Sequence, residues 1–331
     1  MINDTLILAH YYTIPEVQEM ADCVGDSLEL SRFAQKSNAK RIVFAGVRFM
    51  AETAKILNPN AKVILPDAGS TCSLVEQTDI RLLKHWIFTH QLFSDAPAVH
   101  VSYINSSVYH KAMSDWIVTS ANVEEIVTHL MKQGNRVLFS PDRNMGAYLA
   151  YSHPEWFSDD PHSSFGQRFK YWTAVCEVHD KFKEDEIELA MREWTDGPKI
   201  LLAHPESPLP VLKKAHEMSK VGDGLVGSTS KMLNFVKNYP YNVATIFVAT
   251  EDGLLYNMRK ERPDLDIRIA PTYTGCQCNS CPWMKKNTVE SVLNAARGLS
   301  GEIIDYIPEL VRRRALEPIE RMLNFNVNAN V

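Results

Sequence analysis

The feature that most constrains this chain is a strand–turn–helix pattern that recurs along its length. Short β-branched runs each end in a polar or Gly-containing turn, and a helix-like stretch follows. Apolar runs separated by helices are typical of parallel sheets that are covered by helices on both faces. Each third of the chain has three such runs, at 6–9, 41–45, 63–65, 100–104, 116–118, 136–139, 200–203, 225–226 and 245–248.

Three strand–helix groups per third predict an α/β fold of three similar three-layer α/β/α domains with parallel sheets. We place the domains at 1–88, 89–180 and 181–331, the last with a C-terminal helical tail. The polar, aromatic and Pro-rich segment 151–171 interrupts the pattern, and we interpret it as an extended loop or insertion that could lie over the mouth of a site.

One helix has particularly clear end signals. Asn122 is a candidate N-cap, Glu124 and Glu125 fill the first turn, and Gly134 ends the helix. One apolar face is predicted to be buried, and it consists of Val123, Ile126, Val127, Leu130 and Met131.

Composition excludes several classes of function. The 331 residues carry a net charge of -5, so there is no basic surface of the kind that binds nucleic acid or an anionic membrane. No apolar stretch approaches the roughly 18 residues that a membrane span needs. The beginning of the chain, MINDTLILAH, lacks the features of a signal peptide. We therefore expect a soluble, cytosolic protein.

Residues that end the predicted strands are the first candidates for function, because ligands of open parallel sheets bind outside the carboxyl ends of the strands. These residues are His10, Tyr12, Tyr103, Asn105, Thr119, Ser120, His204, Glu206, Ser228, Thr229 and Glu251.

The six cysteines suggest metal binding or catalysis rather than disulfides in a cytosolic chain of this size. Cys176 follows Cys72 by 104 residues, and Cys281 follows Cys176 by 105, so three domains of that length could each give one thiolate to a common centre. The cluster of Cys276, Cys278 and Cys281 alternatively suggests a zinc site or a Cys278–Cys281 disulfide, although a second CxxC pair for a closed zinc site is missing.

The ordered motifs of the chain resemble those of the quinolinate synthases over about residues 6 to 298. The matching blocks are ILAHYY at 7–12, VGDSLELS at 24–31, GVRFMAETAKILNP at 46–59, LPDAGSTCSL at 65–74, SYINSS at 102–107, TSAN at 119–122, PDRNMG at 141–146, CEVH at 176–179, AHPES at 203–207, VGSTSKM at 226–232, ATEDGL at 249–254 and CNSCPWMKKN at 278–287.

The resemblance implies three pseudo-symmetry-related α/β/α domains around a central active site. It implies one [4Fe–4S] cluster per chain, held by Cys72, Cys176 and Cys281, with Cys278 as the rival for the third position. With three cysteine ligands instead of four, one iron keeps an open position and can act as a Lewis acid. The implied reaction condenses iminoaspartate with dihydroxyacetone phosphate to quinolinate in NAD biosynthesis, with release of phosphate and two waters. L-Aspartate oxidase is the implied candidate partner.

The roles of individual residues also follow from the resemblance. Glu206 matches the general base of the family. Tyr12 and Tyr103 match hydroxyls that assist isomerisation and dehydration or bind the intermediate. His10 and His204 match the histidines that bind substrate. Read singly, such a histidine is more often structural, and Glu206 could belong to the first turn of a helix.

Further residues match the walls of the family's site. Ser27, Asn105 and Ser120 match donors to substrate carboxylates. Ser228 and Thr229, at a predicted helix start, suit carboxylate or phosphate binding because such a turn presents free N–H groups. The remaining matches line the cavity, and they are Met50 and Met284.

The chain departs from the family pattern at two motif positions. Tyr11 stands where an asparagine is usual, and Ser207 stands where a cysteine is usual. These departures leave open a divergent paralogue with a related substrate. The other open alternatives are a radical enzyme similar to the diphthamide-synthesis proteins and a non-enzymatic iron–sulfur sensor or scaffold.

Overall fold

The computed structural model describes residues 5–92, 98–156, 168–193, 197–272 and 279–325. Their strands form three sheets, each built from one third of the chain except that β13, near the end, joins the first sheet. The strands are β1 Thr5–His10, β2 Cys23–Gly25, β3 Arg41–Ala45, β4 Lys62–Leu65, β5 Ala98–Tyr103, β6 Trp116–Val118, β7 Arg136–Ser140, β8 Phe169–Tyr171, β9 Lys199–Ala203, β10 Gly224–Val226, β11 Thr245–Ala249, β12 Asp266–Ile269 and β13 Glu302–Ile303.

The three sheets share one topology. Their strand orders are β2-β1-β3-β4, β6-β5-β7-β8 and β10-β9-β11-β12, and every pair within these orders is parallel. In each sheet the second strand along the chain therefore lies on one side of the first strand, and the third and fourth strands lie on its other side. The α/β fold with parallel sheets is confirmed, and the repeated order is what three related units would give.

Helices connect and cover the strands. Their bounds are α1 Pro15–Met20, α2 Ser27–Lys36, α3 Arg48–Leu57, α4 Ser73–Glu76, α5 Ile80–Leu92, α6 Val108–Lys111, α7 Val123–Lys132, α8 Arg143–Ser152, α9 Glu184–Glu193, α10 Leu209–Ser219, α11 Thr229–Lys237, α12 Gly253–Glu261, α13 Val289–Arg297 and α14 Glu309–Asn324. In the described part of the chain, no helix combines the length and the apolar character that a bilayer crossing requires.

The nine predicted strands are confirmed to within a residue or two at each end. The predicted helix after residue 122 is α7, and all five residues of its predicted apolar face are buried. The role given to Asn122 was wrong in one respect: its side chain does not cap the helix, because its Oδ1 accepts the N–H of Thr119 at 2.8 Å.

The interpretation of segment 151–171 as a loop was wrong at both described ends. Residues 151–152 complete α8, Pro154–Trp156 form a 3₁₀ turn, and Phe169–Tyr171 form the edge strand β8. β8 is only three residues long, and the polar, Pro-rich composition before it obscured its signal. Residues 157–167 lie outside the described part of the chain, so the suggestion that they cover a site stays a prediction.

The last part of the chain pairs with the first sheet and packs on the second. β13 adds to the first sheet, antiparallel to β4, and its Glu302 pairs with Arg48 of α3. Helix α14 packs on β6 and α6, and Arg321 donates to the carbonyl of Asp115 at 2.7 Å. The domain boundaries at 88/89 and 180/181 stay a prediction.

A buried histidine pair makes the stability of this fold sensitive to acid. His100 Nδ1 must donate to the Met113 carbonyl (3.2 Å), so its Nε2 accepts from Ser140 Oγ at 2.7 Å. Ser140 Oγ in turn lies 2.8 Å from Nε2 of His110, which must then donate. Burial lowers the pKa of His100 to about 4 and the pKa of His110 well below its ordinary value. Both rings are therefore neutral at pH 7.

We expect the free energy of unfolding to decrease as the pH drops below about 6.5. His100 binds a proton in the unfolded chain in this pH range, whereas the buried His100 of the folded protein stays neutral. His100 alone should account for about 2 kcal/mol between pH 7 and pH 5. Urea unfolding at the two pH values should show a smaller pH effect in His100→Gln. The exposed His85, changed to Gln, is the control and should keep the wild-type pH effect. An unchanged pH effect in His100→Gln would reject this account.

Candidate active site

A cavity lies where the carboxyl ends of the strands from all three sheets meet. The residues around it follow β1, β5, β6, β9 and β11, stand at the starts of α2, α3, α4 and α11, or belong to the turns at Cys176 and Cys281. Nearly all of the site residues predicted from the sequence line it: His10, Tyr12, Ser27, Cys72, Tyr103, Asn105, Ser120, Cys176, His204, Glu206, Thr229 and Cys281. Met50, Met284, Thr119 and Glu251 line it too.

Ser228 is the one predicted site residue that does not line the cavity. It is fully buried as the N-cap of α11, where its Oγ accepts the N–H of Lys231 at 3.2 Å. The helix start predicted at this turn is confirmed, but the Ser228 hydroxyl caps that helix, and the next residue, Thr229, is the one that lines the cavity.

The three cysteines occupy equivalent local structures in the three thirds of the chain. Each cysteine carbonyl accepts the N–H of the residue four positions later, at 3.0 Å for Cys72, 2.9 Å for Cys176 and 3.1 Å for Cys281. Each cysteine therefore begins one helical turn, and backbone N–H groups of that turn favour its thiolate. This repetition agrees with the even spacing in the sequence.

The three thiols need a positive partner to ionise. Burial raises the pKa of Cys281 to about 12 and raises the pKa values of Cys72 and Cys176 further. The negative charge of Glu206 adds to the rise for Cys72 and Cys176. Three half-buried cysteines with N–H groups aimed at their sulfurs are a donor set that fits a cationic metal centre.

Glu206 is the buried carboxylate at the centre of the cavity wall. Tyr103 Oη donates to its Oε1 at 2.6 Å, Asn105 Nδ2 donates to the same oxygen at 3.2 Å, and His179 Nδ1 lies 3.0 Å from Oε2. Burial by itself would raise the pKa of Glu206, but the charge of His179 and these hydrogen bonds outweigh it and hold the pKa well below its usual range. The carboxylate is thus ionised, which is the form that can accept a proton.

A continuous path of hydrogen bonds joins Glu206 to Tyr12. His179 contacts Glu206 through Nδ1, and its Nε2 lies 3.0 Å from Thr250 Oγ1. Thr250 Oγ1 lies 2.8 Å from the hydroxyl of Tyr12. Burial, followed by the charge of Glu206, raises the pKa values of Tyr12 and Tyr103 well above the ordinary value, so both phenols keep their protons.

His10 and His204 are neutral, and the backbone fixes their tautomers. His10 Nδ1 accepts the N–H of Tyr12 at 3.1 Å, and His204 Nδ1 accepts the N–H of Glu206 at 3.4 Å. Burial lowers the pKa of each ring to about 3. The Nε2–H of each ring remains as a donor.

His179 contacts both Glu206 and Cys176 and was not predicted from the sequence. Its Nδ1 lies 3.1 Å from Cys176 Sγ. The signal was present in CEVH, where the histidine stands one helical turn after the cysteine. Lys285 was missed as well, because its ion pair with Glu251 at 2.8 Å forms only in the fold. Glu251 Oε1 also accepts the N–H of Cys281 at 3.0 Å and so anchors that cysteine.

Both departures from the family pattern lie outside the cavity. Tyr11 is buried beside Glu29, whose charge and hydrogen bond add to the effect of burial and raise the pKa of the phenol. Ser207 is buried and donates to the Ala249 carbonyl at 3.3 Å. Neither side chain lines the cavity that holds the other predicted site residues.

Part of this wall could hold a metal ion. The ligand atoms of Cys176, His179 and Glu206 all lie within 4.8 Å of one another. Cys72 and Cys281 line the same cavity from the other two cysteine turns. Cys276 and Cys278, the neighbours of Cys281 in the sequence, lie outside the described residues, whereas Cys23 is on β2 and does not line the cavity.

Comparison with known proteins supports the likeness seen in the motifs. The pattern of the quinolinate synthetase A protein family matches residues 2–324. The quinolinate synthase of Cyanothece sp. is 38% identical over 324 residues, which cover 98% of this chain and 90% of the relative. Those of Cyanophora paradoxa and Chloroherpeton thalassium are 39% and 38% identical, again over 98% of this chain and over 88% and 91% of the relatives. With almost its whole length matched in this way, the chain belongs to the quinolinate synthetase A family.

Proposed function

We propose that this chain is a quinolinate synthase, which condenses iminoaspartate with dihydroxyacetone phosphate to quinolinate and releases phosphate and two waters. Membership of the family and the names of the relatives support the activity. The single observation that carries the proposal is the meeting of three equivalent cysteine turns and an ionised carboxylate in one buried cavity. The overall reaction balances without an oxidant or reductant, so it needs acid–base and Lewis-acid chemistry.

We assign Cys72, Cys176 and Cys281 as the residues that would hold a [4Fe–4S] cluster. When bound, such a cluster supplies an iron with an open position, a Lewis acid that polarises a substrate oxygen. The three cysteines that line one cavity and the N–H groups that favour their thiolates support this assignment. A single ion on Cys176, His179 and Glu206 is the competing arrangement, and the metal content of the protein distinguishes the two.

Glu206 is assigned as the general base. Its carboxylate can take a proton from the carbon that forms the new bond, because it lines the cavity in its ionised form. Tyr103 and Asn105 hold one of its oxygens, and His179 faces the other. The path through His179 and Thr250 lets Tyr12 donate a proton to a leaving hydroxyl while the negative charge stays near Glu206.

The other wall residues bind and orient the substrates. The Nε2–H groups of His10 and His204 are donors that suit substrate oxygens. Thr229 opens helix α11, so its turn favours the negative charge of a carboxylate or phosphate. The N–H groups of Leu28 and Glu29 at the start of α2 are already capped by the Asp26 carboxylate, so Ser27 offers the cavity its hydroxyl. Ser120, which also lines the cavity, adds a further hydroxyl.

Asn105 both holds Glu206 and faces substrate. Its Nδ2 is used on Glu206, whereas its Oδ1 is buried and is one of the described side-chain atoms that lack a hydrogen-bond partner. A carboxylate only accepts, so this orientation of the amide is fixed. We therefore assign Oδ1 as the acceptor of a substrate N–H or O–H, which differs from the sequence-based expectation of a donor to a carboxylate.

We expect Asn105→Asp to lose more activity than Asn105→Ala, because it places a second carboxylate against Glu206. Asn105→Ala should lower kcat/KM about 100-fold, the cost of a slightly misplaced catalytic group. Quinolinate formation under anaerobic conditions measures both variants. Asn238→Ala, which removes an amide that bonds only within its own helix end at 2.8 Å, is the control. Equal activity of the Asp and Ala variants would contradict the proposed contact.

The activity is tested by omission. Anaerobic protein, reconstituted with iron and sulfide, should form quinolinate and an equal amount of phosphate only when both substrates are present. A radical enzyme would instead consume S-adenosylmethionine, and a sensor or scaffold would form no product. A divergent paralogue would release phosphate from dihydroxyacetone phosphate with a different imine.

A cytosolic location and supply of iminoaspartate by L-aspartate oxidase belong to the same proposal.

A further inference from the structure

A fully buried lysine stands behind the active site and has no role in the proposed chemistry. Lys111 ends α6 and has 0% exposure, which is rare for lysine. A buried ammonium is costly unless its N–H groups are bonded. Its Nζ donates to the carbonyl oxygens of Ile104, at 2.8 Å, and of Ser106, and it lies 5.1 Å from the ring centroid of Phe49.

The contacts of this ammonium are arranged around Asn105. The Ile104 carbonyl belongs to the peptide plane that precedes Asn105, and it also accepts the N–H of Ser106 at 2.8 Å. That N–H belongs to the plane that follows Asn105. Both planes beside Asn105 are therefore held, and its backbone angles are fixed. Asn105 in this conformation places its amide 3.2 Å from Glu206 Oε1.

The same lysine also connects this segment to the first third of the chain. Glu52 accepts the N–H of Val108, at the start of α6, at 3.1 Å. Burial lowers the pKa of Lys111 to about 7, and the negative charge of Glu52 opposes this shift and favours the ammonium. Phe49, one turn earlier on α3, lines the cavity. The block at 46–59 therefore contributes Phe49 and Glu52 to the surroundings of the ammonium that holds the Asn105 segment.

We propose that Lys111 is a positioning residue of the active site, whose ammonium fixes residues 104–106 so that Asn105 holds the Glu206 carboxylate. This inference rests on the proposed function only in taking Glu206 as the base. A residue with a purely structural role would destabilise the fold without a special relation to Asn105.

A double-mutant cycle tests the proposal. Lys111→Met should lower kcat/KM about 100-fold, because a small misplacement of a catalytic group has an effect of that size. In an Asn105→Ala background the same change should have little further effect, since the group that Lys111 positions is already gone. Lys55→Met is the matched control, because Lys55 also bonds two backbone carbonyls, of Pro59 at 2.9 Å and Ala61 at 2.8 Å, and does not line the cavity. It should keep the wild-type kcat/KM.

Amide hydrogen exchange gives a readout that needs no turnover. Exchange at the Ser106 amide should become faster in Lys111→Met and stay unchanged in Lys55→Met, even if the wild-type protein made no quinolinate and the proposed function failed. Unchanged exchange, or the same fold-loss of kcat/KM with and without Asn105, would overturn the role of Lys111. If Lys111→Met does not fold, Lys111→Gln takes its place in both measurements. Failure of both variants to fold would also overturn the proposal, because the whole fold would then depend on Lys111.

Discussion

Replacing Glu206 by Gln should lower the rate of quinolinate formation by about 10³-fold, the middle of the range that a general base contributes. Gln keeps the size of the side chain and can still accept from Tyr103, but it cannot take a proton. Its amide also faces His179, whose Nδ1 lies 3.0 Å from Oε2 of Glu206 in the wild-type protein. The loss should therefore appear in kcat rather than in the binding of the substrates.

The iron content of Glu206→Gln should equal that of the wild-type protein, because we assign only the three cysteines as ligands. Glu261→Gln is the control: this glutamate lies 3.3 Å from Lys237 on the surface, and its change should leave the rate unaltered. Retained activity in Glu206→Gln would reject the base. Loss of metal would instead favour the single-ion arrangement of Cys176, His179 and Glu206.

Replacing Cys72, Cys176 or Cys281 by Ser should abolish both bound iron and activity. Serine has nearly the same size, but its hydroxyl does not ionise near neutral pH and cannot supply the thiolate that a cluster requires. Each change removes the sulfur at the head of one of the three equivalent helical turns. The near-400 nm absorption of the reconstituted protein and its iron and sulfide content measure the effect.

Two other cysteines serve as controls for this series. Cys23→Ser should keep the cluster, because Cys23 is on β2 and does not line the cavity. Cys278→Ser should keep it as well, since Cys281 is the thiol that begins a helical turn beside Glu251. Loss of the cluster in Cys278→Ser together with its retention in Cys281→Ser would show that the wrong thiol had been assigned.

The sequence predicted the fold well where the apolar runs were long. The strands that contain 41–45, 136–139 and 245–248 are buried through most of their length, so near-continuous apolar runs marked them. The strands that were missed, β2, β8, β12 and β13, are two to four residues long and lie at sheet edges. Such short segments carry too few residues to show a period, and the equally short β6 and β10 were predicted from their apolar residues and the polar or Gly-containing turns that follow them.

The site was predictable to the extent that its residues follow strands or match quoted motifs. His179 follows a short loop and no strand, so the rule about strand ends did not mark it. Lys285 and Lys111 depend on partners that are distant in the sequence, such as Glu251, and only the fold brings these together. The orientation of Asn105 depends on the carboxylate that its amide meets, which composition and spacing do not specify.

The most direct test of the central claim measures the metal centre and the reaction in one anaerobic preparation of the wild-type protein. The account predicts about four iron and four sulfide per chain, together with quinolinate and phosphate in equal amounts when iminoaspartate and dihydroxyacetone phosphate are both supplied. A protein that binds one metal ion per chain, or one that carries the full cluster and forms no quinolinate, would contradict it.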